Sequence, residues 1–374
     1  MHTKLRTFEN ALRILTALAW LLLLVAPGRA EPAAAMAFAE GDRLFHADPR
    51  WLGGDAAISV PLSQERTLWL FGDSFVDETA PYSRTGAAFV HNTIAIETGS
   101  DPRQAQMRFT WRHDARGAAA PFFNDPKGYW YWPRGGIRLG RGEVIVFLHK
   151  IKPTKTGLRF ASAGFAVARI SNADEDAEHW RVEIKDQPTL RFDALPGSAA
   201  VAGEAFVTVL ATKQAGTHAG AFVRYPLPAF ARGDLSQAAW WLGERKGWLP
   251  TKRVRKSGPA FVIDDAGAEA SIHWDVRLQA FVHVASYGFG AATIGVRTAP
   301  ALTGPWSPAR MAYRPPESDA PRPFVYAGKA HPELTGAPGL LVTYVANAFE
   351  PQALMTPEGE RDLYWPRFVA IPME

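Results

Sequence analysis

Short runs of apolar, β-branched and aromatic residues recur along the chain at long intervals. They read "TLWLFGDSF" from 67, "EVIVFLHKI" from 143, "AFVTVLATK" from 205, "QAFVHVASY" from 279 and "LLVTYVANA" from 340, spaced by 76, 62, 74 and 61 residues. Each predicts a β-strand. Most are followed by a second such run ("HNTIAIET", "FAVARIS", "GAFVRYPL", "ATIGVRTA"), and then often by a loop leading to tryptophan. A less regular segment precedes each: "GDAAISVPL", "PRGGIRLG", "GSAAVAG", "EASIHWDV" and "AGKAHPEL". Five units of about 70 residues, each with three or four short strands, predict an all-β, five-bladed β-propeller. One unit alone cannot bury both faces of its sheet, so the units form a single domain. The last strand, "LYWPRFVAI", is expected to pair back with the first blade. Helical patterning is confined to "GDLSQAAWWLGERKG", as expected of a chain with 32 Gly and 29 Pro.

The N-terminus reads differently. A mildly basic stretch leads into "ILTALAWLLLLV", closed by Pro27 and the small residues Gly28 and Ala30. This is the pattern of a Sec-type signal peptide cut after Ala30, and the apolar run is short for a membrane anchor. The expected division is residues 1–30 as signal peptide, 31–48 as an N-terminal linker and 49–374 as the propeller. The mature chain is then exported to the periplasm or the extracellular space, with no later membrane insertion.

The leader also changes the charge. It carries Lys4, Arg6, Arg13 and Arg29 against one acid, Glu9, so the formal charge of +4 falls to +1 on its removal. A chain that near neutrality is not a nucleic-acid binder on electrostatic grounds. The basic run "TKRVRK" at 251–256 reads as a solvated loop. There is no cysteine, which removes disulfides, thiolate metal sites and cysteine nucleophiles together. Thirteen Trp, 22 Phe and nine Tyr suit a large core and also a sugar-binding cleft, where aromatic rings stack on apolar sugar faces.

In a propeller the start of each innermost strand faces one mouth of a central funnel. The corresponding segments hold Asp55, Arg134, Glu269, Lys329 and His331, and the Gly72 turn delivers Asp73 to the same mouth. Paired carboxylates beside cations suit glycoside hydrolysis. One protonated acid serves the leaving oxygen, and one carboxylate acts on water or on the anomeric carbon. Arg134, Lys329 and His331 are expected to position substrate or tune the acids, with His91, Asn92 and Trp132 as further substrate contacts. Trp130 and Tyr131 read equally as core or as a stacking platform. No cofactor is called for, and an ion in the funnel is left open.

The stretch "FGDS" raises a competing possibility, an esterase with Ser74 as nucleophile. That chemistry needs an Asp-x-x-His near the C-terminus and a Gly-x-Asn-Asp stretch. The Asp176–His179 pair lies mid-chain and no such glycine–asparagine stretch exists. A non-catalytic glycan-binding propeller is the other alternative.

"WLGGDAAISVPLSQERTLWLFGDSFVDE", "YWYWPRGGIRLGRGEVIVFL", "EASIHW" and "YAGKAHPEL…LLVTYVAN" resemble a five-bladed propeller family long carried as a domain of unknown function, which includes endo-acting D-arabinanases. The resemblance runs from about residue 50 to the C-terminus. It implies an arabinan-like furanoside substrate, an acidic catalytic pair at Asp55 and Asp73, and Glu269 as a further funnel carboxylate. One departure stands out: an acid is expected shortly after Tyr-Trp-Pro, where this chain has Arg134-Gly135-Gly136.

Overall fold

A computed structural model describes residues 34–157 and 159–373. The expected signal peptide lies outside these residues. Among them the chain forms seven antiparallel sheets, of which five larger ones follow one another in sequence order. The first is Ile58–Pro61, Arg66–Phe71, Thr93–Thr98 and Gln106–Thr110; the second is Trp130–Leu139, Glu143–Pro153, Phe160–Ile170 and Val182–Asp186. The third runs Leu195–Ala202, Phe206–Thr212, Gly220–Pro226, Ala239–Trp241 and Trp248–Pro250, and the fourth Ala270–Asp275, Ala280–Tyr287, Thr293–Ala299 and Arg310–Tyr313. The fifth takes Phe324–Ala330, Leu340–Asn347 and Pro366–Ile371 from the C-terminal part, and its outer strand, Met36–Ala37, from the other end of the chain. The five strong apolar runs are the second strands of these sheets, where both faces are covered.

The core lies between the sheets. Leu68, Leu70 and Ile94 of the first pack on Val144, Val146 and Ala168 of the second. Phe147 and Val167 meet Val209 and Val223, Leu210 and Phe222 meet Ile272 and Ala285, and Val284 and Ile294 meet Val342 and Val369. Leu341, Phe368 and Ala370 of the fifth sheet then pack on Trp69, Phe71 and Ala95 of the first. Each sheet therefore has two neighbours. All five first strands line a common cavity of about 320 Å³, among its walls Val60, Gly136, Ala199, Ile272 and Ala330. Their approach is tight enough to dictate sequence: a Cβ on Gly135 would stand 2.3 Å from the Gly197 carbonyl oxygen, and one on Gly136 2.8 Å from Val60. The acid expected after Tyr-Trp-Pro has no room at either position.

Three expectations are corrected. The helix expected in "GDLSQAAWWLGERKG" is a β-hairpin arm, Ala239–Trp241 paired with Trp248–Pro250, with Gly243 and Gly247 turning at φ of 86° and 61°. Strand alternation buries Trp240 and half-exposes its neighbours, which sheet pairing rewards more than helix propensity does. The last strand packs on the first sheet but does not pair with it; Pro366–Ile371 pairs with Met36–Ala37 instead. The 31–48 segment is accordingly no free linker from residue 36 on. Its Leu44 and Phe45 are buried against Trp69, Phe71 and Phe368.

A small sheet, Trp51–Gly54 with Ser74–Val76 and Ala88–Val90, sits beside the first sheet and positions the acidic turns.

Candidate active site

Two turns are laced together at the end of the first sheet. The Asp55 amide donates to the Asp73 carbonyl at 3.3 Å and the Gly72 amide to the Asp55 carbonyl at 3.1 Å. Gly72 is required here, because a Cβ would lie 2.2 Å from Asp55 Oδ1. Ala56 and Ala57 follow at φ of 67° and 48°, an uncommon conformation for residues with a Cβ and one that concentrates at functional sites. Asp55 and Asp73 thereby open on one cavity of about 500 Å³, which Glu269, Arg134, Trp132 and Tyr326 also line.

The three carboxyl groups have distinct surroundings. Asp55 Oδ2 accepts from the Tyr326 hydroxyl at 2.7 Å. Burial, then the charges of Asp73 and Glu269, push its carboxyl well above the usual carboxylate range, against the opposing effect of the Tyr326 bond and the Lys329 charge. Asp73 Oδ1 accepts from the Trp132 indole at 2.8 Å and faces His91 Nδ1 at 2.9 Å, while the His91 ring stacks on Trp130 at 4.6 Å. Glu269 is ion-paired with Lys329.

The cations are buried. Lys329 is 2% exposed and its ammonium also donates to the Ala56 carbonyl at 2.7 Å, so it holds Glu269 and the Ala56 turn rather than reaching substrate. Arg134 donates to Ser198 Oγ at 2.6 Å and Thr212 Oγ1 at 2.9 Å, with its Nε unpartnered. Burial lowers its guanidinium to about 10, opposed by the Glu269 charge. His149, on the same wall, is pushed down to about 3 by burial and by Arg134, and faces the Ser162 hydroxyl at 2.9 Å as a neutral ring.

The structure thus brings Asp55, Asp73, Glu269, Trp132 and Arg134 to one cavity, with His91 and Lys329 behind them. Two expected contacts are corrected. Asn92 is fully buried, its amide bonded to Phe123 and to the Tyr131 carbonyl. His331 is also fully buried, bridging Ser59 and Thr343 at 2.7 Å each, and burial lowers it to about 3. Both side chains have their polar atoms consumed inside the core. Tyr131 is core as well, its hydroxyl bonded to Asp125, whereas Trp132 is a cavity wall. Ser74 is no nucleophile, being 0% exposed with its hydroxyl donated to the Gly72 carbonyl at 2.9 Å.

Sequence reading passed over Tyr326, although it stands in the same strand as Lys329. It also passed over Tyr364, whose hydroxyl donates to the Asp73 carbonyl at 3.0 Å from a backbone at φ of 64°. A tyrosine among many aromatics carries no signal of its own; its place beside the carboxylates arises from tertiary packing. Among the described residues, no group of three or more His, Asp or Glu is arranged to hold a metal ion, and no helix is long and apolar enough to cross a membrane.

A family described as a domain of unknown function (DUF5005) matches residues 39–372. The chain belongs to that family. Among solved structures, this DUF5005 chain is similar to a putative hydrolase from Bacteroides ovatus ATCC 8483, at 15% identity and TM-score 0.71 over 92% of both chains. It is more distantly similar to the α-L-arabinofuranosidase of Podospora anserina in complex with cellotriose (10% identity, TM-score 0.48, 91% of this chain and 95% of that one). A xylan β-1,4-xylosidase from Bacillus halodurans C-125 matches at 10% identity and TM-score 0.48, over 87% of this chain and 53% of that one. These likenesses are of fold. Comparison with curated proteins gave no match.

Proposed function

We propose that this DUF5005 protein is an exported five-bladed propeller and a glycoside hydrolase acting on a polysaccharide, an arabinan-like furanoside being the first substrate to try. The observation that carries the reading is the unequal treatment of three carboxyl groups around one aromatic-walled cavity. Desolvation, together with the acids around it, pushes the Asp55 carboxyl well above the usual carboxylate range, and Tyr326 fixes its orientation. Glu269 is paired with a buried ammonium, and Asp73 is oriented by Trp132 and His91.

Glycosidic cleavage uses such a division. Asp55 donates its proton to the leaving oxygen as the bond to the anomeric carbon breaks. Asp73 takes a proton from the attacking water or itself attacks the anomeric carbon, and Glu269 adds negative charge facing the positive charge that develops on the sugar. Trp132 supplies a ring for stacking. The leader supports export.

The test is release of reducing ends from a panel of arabinans, galactans and xylans by the purified protein, with Asp55→Asn, Asp73→Asn and Glu269→Gln alongside. Oligosaccharide release abolished by Asp55→Asn and Asp73→Asn, with the fold intact, supports the reading. Binding without release from any glycan makes the protein a lectin-like propeller, and the hydrogen bonds already made by Asp55 and Asp73 favour that as the second reading.

A further inference from the structure

A second cavity of about 430 Å³ adjoins the first and shares Ala268, Glu269, Phe324 and Tyr326 with it. Its rim is the most exposed large apolar group in the described chain. Phe289, at the tip of the hairpin between Ala280–Tyr287 and Thr293–Ala299, is 83% exposed, and Phe349 is 47% exposed. Neither covers core.

These rings form a path. Phe324 stacks on Tyr326 at 4.9 Å and on Phe349 at 4.6 Å, and Phe289 stands 5.9 Å from both Phe324 and Phe349. Tyr326 in turn bonds Asp55, so the path begins at the candidate acid. The loops that carry it are pinned: Arg322 is ion-paired with Glu350, and a Cβ on Gly290 would stand 3.0 Å from the Pro323 carbonyl. Thr217, His218, Asp265 and Ser286 place polar groups around the same cavity. Trp132, which bonds Asp73, packs edge to face on Phe160 at 5.0 Å, and both wall the first cavity. Each of the two aspartates is thus bonded to an aromatic side chain of a different ring cluster.

Exposed aromatic rings bordering a concave, partly polar cleft are suited to the apolar faces of sugars. A flat protein-binding patch would not continue into the acidic cavity. Resting on the glycosidase reading above, we infer that the Phe289–Phe324–Phe349 lobe is a further sugar-binding site. The substrate is then an extended chain that reaches from the carboxylates into the second cavity.

The probes are arabino-oligosaccharides of two and six units, titrated calorimetrically into the Asp55→Asn protein. Phe289→Ala and Phe349→Ala are made on that background, with Trp274→Ala as an exposed aromatic remote from both cavities. The hexamer is expected to bind about tenfold or more tighter than the dimer, roughly the 1.4 kcal/mol of one good stacking contact. Phe289→Ala and Phe349→Ala should remove most of that gain, and Trp274→Ala should leave it. A gain that survives both phenylalanine substitutions overturns this inference while leaving the glycosidase reading in place. So does sedimentation showing that Phe289→Ala breaks up a self-associated form. Absence of both binding and cleavage of any glycan by the unsubstituted protein overturns the functional reading and this one together.

Discussion

Gly72 and Asp55 share a space that admits only one of them in any larger form: a methyl group on Gly72 would sit 2.2 Å from Asp55 Oδ1. The glycine of the "FGDS" stretch is therefore there for the carboxyl group above it, and the serine two residues on is buried structure.

Gly72→Ala is expected to displace the Asp55 carboxyl and lower kcat on polysaccharide by roughly the hundredfold or more that loss of a positioned acid costs. Its effect on the thermal midpoint should be small by comparison, because Gly72 borders a cavity. Full activity in the alanine variant would show that the Asp55 position is not needed for chemistry.

Asp55→Asn should reduce turnover by roughly a hundred- to ten-thousandfold, the range for a general acid. Tyr326→Phe tests the assignment more finely. The Tyr326 bond opposes the upward push on Asp55, so its loss raises the Asp55 carboxyl further. The alkaline limb of the kcat/KM profile should then move to higher pH, with a lower plateau. A limb that stays put assigns it to another group.

Lys329 joins Glu269 to the Ala56 carbonyl from a buried position. Lys329→Met leaves a partly exposed carboxylate unpaired and the Ala56 carbonyl without its donor, and should cost on the order of 2 kcal/mol in denaturant unfolding. The double variant Lys329→Met/Glu269→Gln should recover part of that loss. No recovery would mean that Lys329 acts through the Ala56 bond and packing rather than through Glu269.

Glu97 is fully buried, with Oε2 accepting from the Trp69 indole at 2.7 Å and Oε1 unpartnered. Burial raises its carboxyl to about 8, and Glu333 adds to the effect. Between the ordinary value of 4.5 and that raised one, the folded state holds a proton that the unfolded state has released. Stability contributed by this group is thus complete at low pH and lost as pH rises to about 8. Glu97→Gln keeps an acceptor for Trp69 and should be more stable than the parent at pH 9 by on the order of 3 kcal/mol, with little difference near pH 4. Equal pH dependence of the two proteins, followed by urea unfolding, would discount Glu97 as the source.

Much of the fold was legible because both-face burial leaves a linear trace. The runs around Leu68, Val146, Val209, Val284 and Val342 are apolar without alternation, and all became second strands. The strand Ala239–Trp241 misled because a short segment flanked by good helix formers takes its state from its partners, Gly220–Pro226 and Trp248–Pro250. Of the site, Asp55, Asp73 and Glu269 were legible as acids at strand starts and turns. Asn92 and His331 read as functional from their places, at a strand start beside the Gly72 turn and at the start of an innermost strand; partners far along the chain, Phe123 and Ser59, satisfy them. Tyr326 and Tyr364 became visible only when the fifth sheet was placed beside the first.

The joint between Met36–Ala37 and Val369–Ala370 sets the order in which the molecule can assemble. Its partners are more than three hundred residues apart, so four sheets can form from local pairings while the fifth waits for both ends of the chain. A ribosome-bound chain already carries this outer strand but lacks the Pro366–Ile371 strand that it pairs with. Completion of the fold is thereby a late event, and a tag or truncation at residues 34–46 would act on assembly far more than its distance from the carboxylates suggests.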